Sequence, residues 1–478
     1  MPEDQQIRGR ALIDGQWVDG AGADITRRNP YNDELVSSAA AVTIEQADAA
    51  IDAAARARRA WGAASPLARN HAVHKAGDLM HARRDEVARL ITREMGKTLA
   101  ESYEDVDYAV HDLKMGADDA LRLLGQTVQG TSSETDNPKR VLVQNVPVGV
   151  VGLSTPWNFP VAIPCELLGP ALATGNTVVW KPSEVAPGSG HLLAECLAEA
   201  LPPGVINVLH GRGDIGAHLV SSPLVDMFGF VGSTATGEAI ARGAGVKKLL
   251  LELGGNGPVV VMDDADLDAA ASATTYSAYY VSGQVCTASE RVLVHEAVLD
   301  DFVARVVDLS KQVVGGDPLH PGTTMGPMCF AGSFDKTRQH LDDAVAKGAT
   351  IVFGGGFEGL YHEPTVITGV TSDMLIAQEE TFGPVVPIMT FRSVDEAVEI
   401  ANETPYGLQG AVFTSSIPTA WKLAEGIDCG TMHVNGTTNH WELLAPFGGM
   451  KKSGIGRILG VASPTSFTNQ KQITFDVG

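Results

Sequence analysis

From about residue 140 onward, short β-branched runs alternate with helix-like stretches, and this rhythm limits the possible folds more than any other feature of the 478-residue chain. Arg140–Leu153, Asn176–Trp180 and Gly204–Leu209 read as strands, with Cys165–Ala173 and Gly190–Leu201 as helices between them. Strand, helix, strand in that order builds parallel βαβ units, because parallel neighbours need a long crossover. The alternation restarts after Glu252, with strands at Pro258–Met262 and Thr350–Phe353 and helices at Leu299–Val314, Asp335–Lys347 and Val394–Asn402. Residues 44–125, ahead of it, read as helical, with capped, Ala-rich runs. A single core rarely grows past ~250–300 residues, so two α/β domains are expected, joined near 252–256. Ser466–Val477 reads as a strand with no partner nearby in sequence.

Charge and cysteine usage remove several function classes. Thirty-five Lys and Arg against 57 Asp and Glu give a net charge of −22, which argues against binding a phosphate backbone. No apolar stretch reaches the ~18–20 residues of a membrane span, and Met1–Gln6 lacks a secretory leader's basic and apolar regions. A cytoplasmic protein without nucleic-acid or membrane partners is expected. Five widely spaced cysteines with no C-x-x-C pair fit neither a disulfide framework nor a zinc site, so no metal is expected.

Two segments match G-x-G-x-x-G. Gly354–Gly359 leads into Leu360-Tyr-His-Glu-Pro, which cannot open a helix, and reads as a turn. Gly211–Gly216 follows a strand and runs into a helix, the context of a mononucleotide-binding half. Phe230–Gly237 places small residues ahead of a helix at 238–244, gathering N–H donors at its positive end, although Ser233 also reads as an ordinary helix cap. Three residues carry reactive potential. Cys286 follows Gly283-Gln284-Val285, where backbone can approach a ligand; a buried structural cysteine is the plainer reading. Glu252 stands between leucines, where burial raises a carboxyl toward general-base range, or where backbone N–H groups satisfy it. Asn158 is fixed within Pro156-Trp157-Asn158-Phe159-Pro160 and reads as an oxyanion donor or a turn former.

Together these segments resemble the aldehyde dehydrogenase superfamily, from about Leu12 to the end. The matching motifs, in the family's order, include Pro156–Pro160, Trp180-Lys181-Pro182-Ser183-Glu184, Phe230–Gly237, Leu251–Gly255, Gly283–Cys286, Glu379–Val385 and Pro446–Gly454. The resemblance implies two Rossmann-like α/β domains and a small β arm: a cofactor-binding domain from 1–125 and 148–252, a catalytic domain from 253–452, and an oligomerisation arm from 126–147 and 463–478 that joins a homodimer or homotetramer. It implies Cys286 as nucleophile toward a small-molecule aldehyde, Asn158 as oxyanion donor, and Glu252 as the base that activates water to hydrolyse the thioester. It implies NAD as cofactor, held by Thr155, Trp157, Lys181, Ser183, Glu184, Gly213, Phe230, Gly232, Ser233, Gly237, Leu253, Glu380 and Phe382. A carboxylate at Glu184 bonds a ribose 2′-hydroxyl and repels a 2′-phosphate, so NADP is disfavoured.

The expected substrate pocket comprises Phe159, Ile163, Glu166, Leu167, Val285, Thr287, Trp441 and Phe447. It departs from many members at three places. Glu166 stands where an aromatic is common and Leu167 where a Lys is common. Ile458 replaces the Glu of Gly-Arg-Glu, and the loop at 435–442 is one residue longer, bringing Trp441 near the pocket. An aryl or medium aliphatic aldehyde is expected. Glu166 also offers attraction to a cationic aminoaldehyde, though a salt-bridged helix carboxylate is the simpler reading. Semialdehydes are disfavoured, because Tyr280 occupies the position, six before the nucleophile, where members using them often carry Arg. A coenzyme A-acylating enzyme and an idle binding protein are the remaining alternatives.

Overall fold

The structure, a computed structural model, describes residues 6–129 and 139–477. Residues 1–5, read above for a leader, 130–138 within the expected arm, and 478 lie outside it. The helical region resolves into Ile44–Ala63, Pro66–Ala82, Arg84–Met95 and α1 (Leu99–Leu121). Thr43 and Thr98 each cap their helix through a capping box, which fixes where the first and last of these begin.

Five parallel strands follow: β1 (Val150–Ser154), β2 (Thr177–Lys181), β3 (Ile206–Val208), β4 (Met227–Val231) and β5 (Lys248–Glu252). Their spatial order is β5-β4-β1-β2-β3, with helices as crossovers, including α2 (Ala162–Ala173) between β1 and β2. Ala11–Ile13 and Gln16–Val18 extend one edge, and Gly454–Ile455 pairs antiparallel with β5 at the other. Every residue of β1, β2 and β4 is buried, as expected for strands covered on both faces. The helix α3 (Thr234–Gly243) follows β4.

From Glu252 the chain passes directly into a second sheet. Its parallel strands are β6 (Pro258–Val261), β7 (Arg291–His295), β8 (Thr365–Thr368), β9 (Val385–Phe391), β10 (Gln409–Phe413) and β11 (Thr431–Val434), ordered β8-β9-β7-β6-β10-β11, with Thr350–Phe353 antiparallel beside β8. The helix Leu267–Tyr279 between β6 and β7 was not legible, since its Ala, Thr and Ser residues carry little helical periodicity. A third sheet pairs Thr468–Asp476 with Lys139–Pro147 over nine residues, and Gln126–Gln129 with the latter's other edge. The unpartnered C-terminal strand thus finds its mate far upstream in the chain. Gly354–Gly359 is indeed a turn region: Gly354 and Gly355 are left-handed, ahead of the hairpin of Phe357–Glu358 with Tyr361–His362. No helix among the described residues is long and apolar enough to cross a membrane.

Candidate active site

Because the five strands of the first sheet run the same way, their C-terminal ends share one edge. After β3 the chain crosses back past β1 to form β4, and the crevice where strand order reverses is where open α/β sheets take ligands. There a cleft is walled by Trp157 and Asn158 after β1, Gly232 and Ser233 after β4, and Leu253 after β5. The second half of the chain closes it with Phe330, Lys336, Glu380 and Phe382. Ser233 is both wall and cap: its hydroxyl accepts the Thr236 N–H and starts α3 at the cleft.

Other expected cofactor residues lie farther along the same edge. Lys181, at the end of β2, is buried and donates to Glu184 Oε2 and to the Gly211 carbonyl, both at 3.1 Å. The Gly211–Gly216 turn therefore sits beside this pair, with Gly213 opening the helix Gly213–Ser221. Thr155 accepts from Trp180 Nε1 at 2.9 Å, and Ser183 accepts the Val185 N–H at 3.2 Å. Two further expected residues lie behind the cleft surface. Phe230 is buried within β4, and Gly237 lies beneath Leu253, where an added Cβ would come within 2.3 Å of Leu253 Cδ2. Both support the wall of the cleft and neither lines it.

Cys286 sits on the segment between Leu267–Tyr279 and β7, reached through a strained turn. Val281, Ser282 and Gly283 are all left-handed, with φ of 52°, 57° and 73°, a region costly for a β-branched residue. Glu101 of α1 holds the turn by accepting the Val281 N–H at 2.7 Å, and Ser282 donates to the Gly326 carbonyl at 2.8 Å. Gly255 permits the close approach that follows: a Cβ there would lie 2.3 Å from the Cys286 carbonyl oxygen. Glu252, from the last position of β5, faces the thiol. Burial holds the Glu252 carboxyl well above the usual range, and one of its oxygens, Oε1, is buried without a hydrogen bond among the described residues. Burial and the neighbouring Glu252 charge likewise push up the Cys286 thiol.

Asn158 donates through Nδ2 to the Gln284 carbonyl at 3.1 Å, leaving its second N–H available. A buried device that sequence reasoning missed fixes this loop. Lys97, wholly inside, donates to Asp105 Oδ2 at 2.7 Å and to the Asn158 carbonyl at 2.8 Å, and its ammonium stands 4.1 Å from the Phe159 ring centre. Asp105 also accepts the Ala162 N–H at 2.8 Å. Its only sequence signal was the placement of two charges in a helical region that packs inward. Across the cleft, Glu290 accepts the N–H groups of Thr381 and Phe382, both at 2.8 Å, and Glu380 accepts the Gly255 N–H at 3.0 Å. Burial pushes both Glu290 and Glu380 up to about 7.

A second, narrower cavity opens on the other side of Cys286 and Glu252. Phe159, Ile163, Glu166, Val285, Trp441 and Phe447 line it as expected, joined by Tyr108, Asp112, Leu443 and Ile458. Two expectations fail. Leu167, one residue past Glu166 on α2, turns into the apolar core, and Thr287 is buried with its hydroxyl donating to Asn439 Oδ1 at 2.7 Å. The salt-bridged reading of Glu166 is also overturned. Its carboxyl makes no ion pair or hydrogen bond among the described residues, and burial pushes it up to about 8.

Comparison with known proteins agrees with this arrangement. The model of the aldehyde dehydrogenase family matches residues 17–473. A mitochondrial succinate-semialdehyde dehydrogenase of Arabidopsis thaliana is 38% identical, over 94% of this chain and 86% of that protein. The crystal structure of an NAD-dependent aldehyde dehydrogenase from Sinorhizobium meliloti superposes with a TM-score of 0.95 at 37% identity, covering all of this chain and 96% of the other. An NADP-dependent glyceraldehyde-3-phosphate dehydrogenase from Bacillus halodurans, complexed with NADP, gives 0.95 at 35% identity over 98% and 100%. A cleft at the switch point, a thiol and a carboxyl at its inner end, and a chain matched almost throughout lead to one conclusion: this protein belongs to the aldehyde dehydrogenase family and is an oxidoreductase of aldehydes.

Proposed function

We propose that the enzyme oxidises an aromatic or medium-chain aliphatic aldehyde with NAD and releases the carboxylic acid by hydrolysis. The supporting observation is that the two cavities meet at Cys286 and Glu252, so that a group in the cleft and an aldehyde in the pocket reach the same thiol from opposite sides. Bound in the cleft, a nicotinamide dinucleotide supplies the hydride acceptor. Cys286 as thiolate adds to the carbonyl carbon, giving a thiohemiacetal. The free N–H of Asn158, with the backbone N–H of Cys286, meets the developing oxyanion. Loss of hydride leaves a thioester on Cys286. Glu252, one oxygen of which has no other partner, then takes a proton from water as the water attacks the thioester, and the acid departs with the thiolate restored. Asn158→Ala is expected to lower kcat by about 10²–10³ while NAD affinity holds, measured by initial rates and by nucleotide titration.

Glu184 supports NAD, since a carboxylate beside the adenosine ribose would repel a 2′-phosphate, and Lys181 steadies that carboxylate. kcat/KM is expected to favour NAD, and Glu184→Ala to narrow that preference by about tenfold or more, read from paired assays with NAD and NADP. Hydrolysis rather than transfer to coenzyme A is tested directly. Aldehyde and NAD without coenzyme A should yield NADH and acid, and NADH formed only on adding coenzyme A would overturn the reading. Among the residues lining the pocket none is Lys or Arg, and three are acids, which disfavours a carboxylated aldehyde despite the relative named above. The C-terminal strand sheet, half-exposed and built from distant segments, supports the subunit-joining arm, and 253–257 the division between cofactor and catalytic domains. Five free cysteines fit a cytoplasmic setting.

A further inference from the structure

The buried pair Lys97 and Asp105 has no task in the chemistry above. Neither side chain has any exposed surface. Two charges buried in contact often stabilise a fold no more than apolar residues of the same size, so stability alone is a weak account of them. What they hold is more telling. The Lys97 ammonium donates to the Asn158 carbonyl at 2.8 Å and to Asp105 Oδ2 at 2.7 Å, while Asp105 Oδ1 accepts the N–H of Ala162, where α2 begins, at 2.8 Å. The loop that carries Asn158 is thus tied at two points by charge-assisted bonds, which are shorter and stronger than neutral ones. The Phe159 ring, its centre 4.1 Å from the ammonium, stands against a further side. Four positions before Asp105, on the same face of α1, Glu101 accepts the Val281 N–H at 2.7 Å and so holds the turn that leads to Cys286. The two tied segments also meet directly. Asn158 Nδ2 donates to the Gln284 carbonyl at 3.1 Å, and the buried Gln284 side chain donates to the Val281 carbonyl and accepts the Cys329 N–H. The two oxyanion donors proposed above, the Asn158 amide and the Cys286 N–H, therefore come from segments far apart in the chain, and the start of α1 is bonded to both. Such donors must be aimed together, because a misplacement of ~1 Å costs about 10²-fold in rate.

We propose that Lys97 is a positioning residue of the oxyanion site: through the Asn158 carbonyl it sets where the Asn158 amide stands relative to the Cys286 N–H, with Asp105 fixing the ammonium. This rests on the reading of Asn158 as oxyanion donor given above. Removing Lys97 alone would strand a buried carboxylate, so the first variant is Lys97→Met with Asp105→Asn, which deletes both charges and keeps an oxygen for the Ala162 N–H. Its kcat is expected to fall by about 30–100-fold, with KM for the aldehyde and nucleotide affinity within about threefold of wild type. Made in an Asn158→Ala protein, the same two changes should alter kcat by less than about threefold, because the amide that Lys97 aims is gone. Lys97→Arg supplies a milder second cycle that keeps the ion pair. Its smaller loss, about three- to tenfold, should vanish in the same background. Thermal melts and nucleotide titration check that each protein is folded. Losses of equal size with and without the Asn158 amide would mark a general loosening of the fold and overturn the proposal, as would wild-type kcat in a folded variant. Undiminished kcat in Asn158→Ala itself would instead remove the oxyanion reading on which the role depends.

Discussion

Cys286→Ala is expected to abolish NADH formation from every aldehyde, a fall of about 10⁴-fold or more, while the cleft still binds nucleotide. The size follows from chemistry. Without a sulfur adduct, hydride would have to leave a free aldehyde hydrate, and an alanine methyl offers no bond in exchange. The choice among five cysteines is geometric. Cys286 lines both cavities, whereas Cys165, Cys196 and Cys329 are buried and belong to the apolar core. Burial pushes Cys329 up to about 11, and its sulfur accepts from Arg27 and lines neither opening. Cys429 packs beneath the second sheet. Alanine at any of those four should leave turnover within a few-fold, so comparable loss at Cys165 or Cys429 would contradict the assignment. The measurements are initial rates beside nucleotide titration, with mass spectrometry of an acylated protein in the wild type.

Glu252→Gln should have the second-largest effect, and a distinct signature. If Glu252 serves the attack of water, oxidation still proceeds once per subunit and then stalls. A rapid-mixing trace is expected to show a burst of about one NADH per active site, followed by a steady rate about 10²–10⁴-fold below wild type. Equal loss of burst and steady rate would move Glu252 to the earlier, thiol-activating step. The pH profile gives an independent check with a definite sign. Burial favours the neutral acid, so the folded carboxyl gives up its proton only at a pH well above its ordinary range. Below that pH it is protonated and cannot accept a proton from water, so the deacylation rate climbs as pH rises through the raised value. Glutamine in its place should flatten this limb.

The alternation of apolar runs and helices made the two-sheet plan legible, and Gly211–Gly216 and Phe230–Gly237 marked strand ends correctly. What stayed hidden was contact over long separations. Tyr108 and Asp112 lie in a helix that reads as generic, and nothing local shows that it packs against α2 and faces Glu166. The Lys97–Asp105 pair and the Glu290 carboxyl behind Phe382 are likewise ordinary charges until the fold buries them. Leu167 was misjudged for a related reason: on a helix, the neighbour of a pocket residue points about 100° away, here into the core. The motifs therefore pointed to residues that the fold gathers at the cleft, while the groups that hold those residues in place came only with tertiary structure.

The left-handed turn at Val281–Gly283 also bears on how the enzyme can evolve. Two non-glycine residues held there cost of order 1–3 kcal/mol each, against the ~5–15 kcal/mol that ordinarily separates a folded domain from its unfolded chain. Glu101 and Ser282 restrain a shape that the local chain would abandon if released. Lineages under pressure for durability would find an easy gain by relaxing this turn, and would lose the aim of Cys286 with it. Hardier descendants of this sequence should accumulate their stabilising changes in the outer helices and leave residues 281–286 untouched.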